Sequence, residues 1–195
     1  MELRQKIVAG NWKMNLTRNE GLLLLEGIVN GLAEHIGPKV VLAPAFPFLS
    51  HAAAIVIGTP ISVSGQNCSH ESNGAFTGEV SAAMLKSFGC EYCIVGHSER
   101  RQYFNETDDL IRTKMLKLYG QQIVPIYCCG ETLAEREAGK HFDVVRRQIA
   151  TSFATLAKEQ IQNTVIAYEP VWAIGTGKTA TPEQAQEMHA FIRQE

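Results

Sequence analysis

Thr164-Val165-Ile166-Ala167-Tyr168-Glu169-Pro170-Val171-Trp172-Ala173-Ile174-Gly175-Thr176-Gly177-Lys178-Thr179 is a short β-favouring run that ends at a carboxylate and passes into an apolar loop bounded by glycines. Thr181-Pro182-Glu183-Gln184 then has the composition of a helix start: a capping hydroxyl, a proline in the first turn and an acidic residue beside it. Strand, ionisable residue at the strand's carboxyl end, loop and helix follow in close succession. That order describes a base on a rigid strand end with a lid beside it.

The same unit recurs upstream. Lys6 to Gly10 runs into Asn11-Trp12-Lys13, Lys39 to Ala43 is stopped by Pro44 and Pro47, and Ile61 to Gly65 leads to Gln66 and Asn67. Glu91 to Val95 delivers Gly96-His97-Ser98-Glu99, and Ile123 to Tyr127 is followed by Cys128-Cys129-Gly130-Glu131. Between these runs, helices are expected over Thr17 to Ile36 (with Thr17 and Glu20 as a capping box), Leu49 to Ile57, Glu79 to Phe88 and Glu106 to Tyr119. A further charged helical stretch, Leu133 to Lys158, should break near Gly139. Six short apolar runs alternating with helices imply an α/β fold, a parallel sheet covered by helices. In such a sheet the strands' carboxyl ends share one face, where ligands bind. Asn11, Lys13, Gln66, Asn67, His97, Glu99, Glu131 and Glu169 all fall at such ends.

With 195 residues, 45% of them hydrophobic, the chain has enough apolar material for a full core. Eighteen Lys and Arg against twenty Asp and Glu leave a formal charge of -2, which argues against nucleic acid or an acidic membrane as partner. No apolar block is long enough to span a bilayer and the first residues lack a signal-peptide design, so a cytoplasmic protein is expected. Cys90 and Cys93 form a CxxC pair, but Glu91 to Val95 reads as a strand and no second ligand pair accompanies it. The five cysteines are therefore expected to be reduced structural thiols, with neither metal nor cofactor implied.

Glu169 beside Trp172 and Ile174 would be partly desolvated, which suits a general base; the bland alternative is an exposed glutamate paired with a lysine. The glycines of Gly175-Thr176-Gly177-Lys178-Thr179 permit hinge motion and a close backbone approach to a phosphate. A P-loop would require glycine where Trp172 stands, so the nucleotide reading fails there. His97 is either a packed, satisfied histidine or a hydrogen-bond donor at the site, and Lys13 either a solvated charge or the local cation for an anionic substrate. A base, a neutral donor, a fixed cation and a closing loop together suit proton abstraction next to a carbonyl with stabilisation of an enediolate.

Gly10-Asn11-Trp12-Lys13-Met14-Asn15, Gly74-Ala75-Phe76-Thr77-Gly78-Glu79, Val95-Gly96-His97-Ser98-Glu99-Arg100-Arg101, Cys129-Gly130-Glu131-Thr132 and Tyr168 to Gly177 resemble, in order and across essentially the whole chain, the signature segments of the triosephosphate isomerase family. The resemblance implies a TIM (β/α)8 barrel and the interconversion of dihydroxyacetone phosphate and D-glyceraldehyde 3-phosphate, a step of glycolysis and gluconeogenesis, without a cofactor. It implies Glu169 as the proton shuttle, His97 as the donor to the carbonyl, Asn11 and Lys13 as substrate-holding residues, and Gly175 as the lid's phosphate contact. Glu99 and Thr77 would support the site. The loop from Gln66 to Glu79 would reach a second subunit and make a homodimer.

That family's barrel has eight strand-helix units in about 250 residues. This sequence supplies six and reaches Glu195 within the sixth helix. The expectation is a single barrel domain over residues 1–195, incomplete at its carboxyl side, because six strands do not close that barrel. A competing reading is a catalytically inactive fragment that acts, if at all, through association. Another phosphosugar enzyme on the same barrel is a third, against which the Glu169 lid and His97 argue.

Overall fold

The computed structural model describes residues 4–32 and 36–195. Parallel strands alternate with helices, as expected for the α/β class, and the chain packs as two compact units. The first comprises Met1–Ile94 with Lys117–Pro125, the second Val95–Leu116 with Ile126–Glu195.

In the first unit, β1 (Ile7–Asn11) pairs in parallel with β2 (Lys39–Ala43), from Ile7 opposite Lys39 to Asn11 opposite Ala43. β2 pairs with β3 (Ile61–Gly65), and β3 with β4 (Tyr92–Val95). The Val124 N–H, at the head of β5 (Val124–Cys129), donates to Glu91 O at 2.8 Å. Every residue of β3 and β4 is buried, which explains why these runs are continuously apolar or small rather than alternating. In the second unit β5 pairs with β6 (Val165–Tyr168), ending at Cys129 opposite Tyr168. The Glu169 N–H extends that ladder to Cys129 O at 2.8 Å.

Helix boundaries follow capping chemistry more closely than apolar periodicity. α1 (Arg18–Gly31) opens on the expected box, with the Glu20 carboxylate accepting from the Thr17 amide at 2.8 Å and its hydroxyl at 2.6 Å. Those bonds hold the Glu20 carboxyl below its ordinary range. α1 stops at Gly31, short of the expected Ile36, which lies outside the helix and fully exposed; residues 33–35 of that expectation are outside the described residues. A 3-10 turn, Phe46–Phe48, precedes α2 (Leu49–Ile55). α3 (Ala82–Ser87) starts later than expected because Ser81 caps it, accepting the Met84 N–H at 3.2 Å.

An additional short helix, α4 (Ser98–Tyr103), precedes α5 (Asp108–Gly120), which is the helix expected from about Glu106. Glu106 sits between them, buried, with one carboxylate oxygen taking both Arg100 Nε and Lys114 Nζ. The stretch from Leu133 breaks at Gly139 as expected (φ 68°) and again before residue 158. It gives α6 (Leu133–Glu137), α7 (His141–Phe153) and α8 (Lys158–Asn163). α9 (Pro182–Gln194) starts as read, through reciprocal bonds between Thr181 and Gln184. All five cysteines are buried and outside any disulfide, and burial pushes the Cys90 thiol up to about 11. Among the described residues no helix is long and apolar enough to cross a membrane.

Candidate active site

Asn11, Lys13 and Thr77 lie in the first unit; His97, Glu99, Glu169 and Gly175 lie in the second. In the first, Asn11 ends β1 and its Oδ1 accepts the Lys13 N–H at 3.0 Å. Lys13 is held at φ 54°, a conformation costly for a residue with a Cβ. The Gln66 amide donates to Lys13 O at 3.0 Å and Ala43 O at 2.8 Å, and the Asn15 amide to Trp12 O at 2.7 Å. The end of β3 thus ties down the backbone around Lys13, a role the sequence placed at that strand end without specifying it. Thr77 is exposed in the loop after β3, whose base is closed by the Ser69 N–H on Val80 O at 2.7 Å.

In the second unit His97 follows Gly96, whose φ of 73° and crowding require glycine: a Cβ would lie 3.1 Å from Cys128 O. His97 caps α4, its Nδ1 accepting the Glu99 N–H at 3.2 Å. Accepting needs a lone pair on Nδ1, which leaves the proton on Nε2. Glu99 Oε2 also lies 3.4 Å from Nδ1.

Glu169 follows β6 directly, and its side chain is 12% exposed. Its carboxylate receives His97 Nε2 at 2.9 Å on one oxygen and the Ser98 N–H at 2.9 Å on the other, with Ser98 Oγ at 3.4 Å. The two residues read from separate strand ends are therefore in direct contact, and the picture of an exposed glutamate paired with lysine does not hold. Ser98, which meets both carboxylate oxygens, was not singled out from the sequence, where it stands only as a member of the Val95 to Arg101 segment.

Glu131, read as a ligand-facing strand end, is instead fully enclosed. It accepts Tyr168 OH at 2.9 Å, Trp172 Nε1 at 2.9 Å and Arg136 Nη1 at 3.0 Å. Burial, and next the neighbouring Glu131 charge, push the Tyr168 phenol up, so it stays a donor. Trp172 is thereby held by Glu131, with Arg136 stacked over its ring at 5.3 Å. From Trp172 the loop runs outward: Thr176 Oγ1 donates to Trp172 O at 2.7 Å, while Gly175 (φ 69°) and Gly177 (φ 75°) are exposed. The loop is anchored at its root and solvated at its tip. No group of three metal-ligating side chains comes together among the described residues.

Comparison with known proteins adds to this geometry. The family model described as triosephosphate isomerase matches residues 6–195. The chain is 51% identical over 191 residues to triosephosphate isomerase of Cupriavidus necator, covering 98% of this chain and 77% of that protein. It is 50% identical over 192 residues to that of Porphyromonas gingivalis and 48% identical over 193 to that of Cytophaga hutchinsonii, covering 98% of this chain and 76% and 77% of theirs. The chain belongs to the triosephosphate isomerase family. Membership makes it a member of an enzyme family of isomerases, and the fold just described is the family's α/β fold.

Proposed function

We propose that the protein interconverts dihydroxyacetone phosphate and D-glyceraldehyde 3-phosphate by proton abstraction through an enediolate. The observation that carries this reading is the pairing of Glu169 with a His97 whose Nε2 bears the proton. Glu169 removes a proton from the carbon next to the carbonyl, and His97 Nε2–H donates to the carbonyl oxygen on which negative charge develops. The proton held by Glu169 then returns to the neighbouring carbon, while the hydroxyl proton passes from its oxygen to the former carbonyl oxygen, so the net change is a shift of two hydrogens within the substrate. In the described state the two side chains hold each other at 2.9 Å. Substrate entry must therefore part them, transferring the Nε2–H from the carboxylate to the carbonyl oxygen. Asn11 and Lys13 hold the substrate, Lys13 offsetting its negative charge, with Glu99 and Thr77 in support. The Gly175 N–H meets the phosphate when the loop shuts and keeps water from the enediolate.

The same reading includes a homodimer through the Gln66 to Glu79 loop. Phe76 near its tip is 44% exposed, and the first unit also presents an apolar cavity of about 520 Å3 beside Met14, Leu16 and Phe48. Coupled-assay turnover of D-glyceraldehyde 3-phosphate tests the catalytic reading. Glu169→Gln is expected to lower kcat by about a thousandfold, and a folded variant that keeps its turnover would refute the assignment.

A further inference from the structure

Gln148, on α7, is 6% exposed. Its carboxamide oxygen accepts the Gly130 N–H at 2.9 Å, and its Nε2 donates to Gly130 O at 3.0 Å. One side chain thus takes both backbone groups of a single residue. Exchanging the amide's oxygen and nitrogen would set donor against donor and acceptor against acceptor, so the pairing also fixes which way the amide faces.

Gly130 is where the end of β5 meets the root of the lid. A Cβ on it would overlap the carbonyl of Glu169, so its bare Cα packs directly against the peptide that follows the base. The residue before it, Cys129, accepts the Glu169 N–H at 2.8 Å. The residue after it, Glu131, holds Tyr168 and Trp172 on either side of Glu169 in the chain. Three consecutive residues therefore locate the base and its loop, and Gln148 grips the middle one.

We infer that Gln148 is a positioning residue for the isomerisation: by clamping both backbone groups of Gly130 it sets where the Glu169 carboxylate and the root of the loop lie. It acts through Gly130 and not on the substrate. The inference rests on Glu169 as base and residues 170–179 as lid.

Gln148→Met and Gln148→Glu test it in the whole chain. Methionine keeps the length and removes both hydrogen bonds. Protonated glutamic acid offers one O–H donor and one carbonyl acceptor and remakes both; ionised, it has only acceptors and opposes Gly130 O. Burial favours the protonated form, so this variant recovers as pH falls. Gln148 and Gly130 line a second cavity together with the charged groups Arg101, Glu106, Asp108, Glu135 and Arg147; these are common to variant and wild type, so kcat is read as the ratio of variant to wild type at each pH. Gln148→Met is expected to lower kcat about tenfold with little change in KM, and to raise inorganic phosphate released per turnover several-fold as the enediolate escapes. For Gln148→Glu the ratio to wild type is expected near unity at about pH 5.5 and about tenfold lower at about pH 9.

A folded Gln148→Met protein with wild-type kcat and wild-type phosphate release overturns the inference, as does a Gln148→Glu ratio that does not move with pH. Should the glutamate variant fail to fold, the methionine variant decides alone. Glu169→Gln, measured alongside, separates the two levels: turnover that survives it removes the reading beneath, whereas its loss with Gln148→Met unimpaired overturns only the role of Gln148.

Discussion

Leu16 sits at φ 75°, in the left-handed region that costs a residue with a Cβ about 1–2 kcal/mol. Leu16→Gly and Leu16→Ala lose nearly the same packing, but only glycine relieves the strain. Glycine should therefore be more stable than alanine here by about 1 kcal/mol after its larger unfolded-state entropy is counted. Urea denaturation of the two variants checks this, and equal midpoints would show that no strain is stored. At this scale the placement of Glu169 and His97 at strand ends was legible from the sequence. The proton's location on Nε2 was not, because it depends on which donor faces Nδ1. Nor was the enclosure of Glu131, a residue whose charge and position alone suggest exposure.

The loop after β6 behaves as an element with a fixed root. Trp172→Phe deletes one donor to a carboxylate buried at 0% exposure, leaving that lone pair unmet at a cost of about 1–3 kcal/mol. The expected result is a lower melting temperature together with a reduced kcat; a variant that melts like wild type would mean Glu131 does not depend on the indole. Legibility at this scale tracked capping. The Thr17 and Thr181 starts were correct because a hydroxyl and a residue three positions on satisfy each other locally. Ser98–Tyr103 was missed as a helix because its cap is a histidine side chain and much of its support comes from Glu169, distant in sequence.

At the scale of the molecule, burial of ionisable groups sets a pH limit. Burial pushes Cys90 up to about 11 and Cys129 up to about 12, from an ordinary 9.0, and raises Cys128 as well. The unfolded chain loses these protons near pH 9 while the folded one keeps them, so the contribution is whole below pH 9 and is lost as pH climbs toward 11 or 12. Urea midpoints should fall steadily from about pH 9 to about pH 10.5; a flat profile would contradict the burial. Association is tested by sedimentation, where Phe76→Glu should convert a dimer to monomer; a monomeric wild type would end the dimer proposal. By itself the sequence determined the α/β alternation, the strand ends carrying Asn11, Lys13, His97 and Glu169, and the family, because periodicity, strand-end placement and motifs are local properties of the chain. Only the tertiary structure decided that His97 and Glu169 touch, that Glu131 anchors the lid and that Gln148 grips Gly130. Each of these is a hydrogen bond between segments far apart in sequence, whose partners are set by packing.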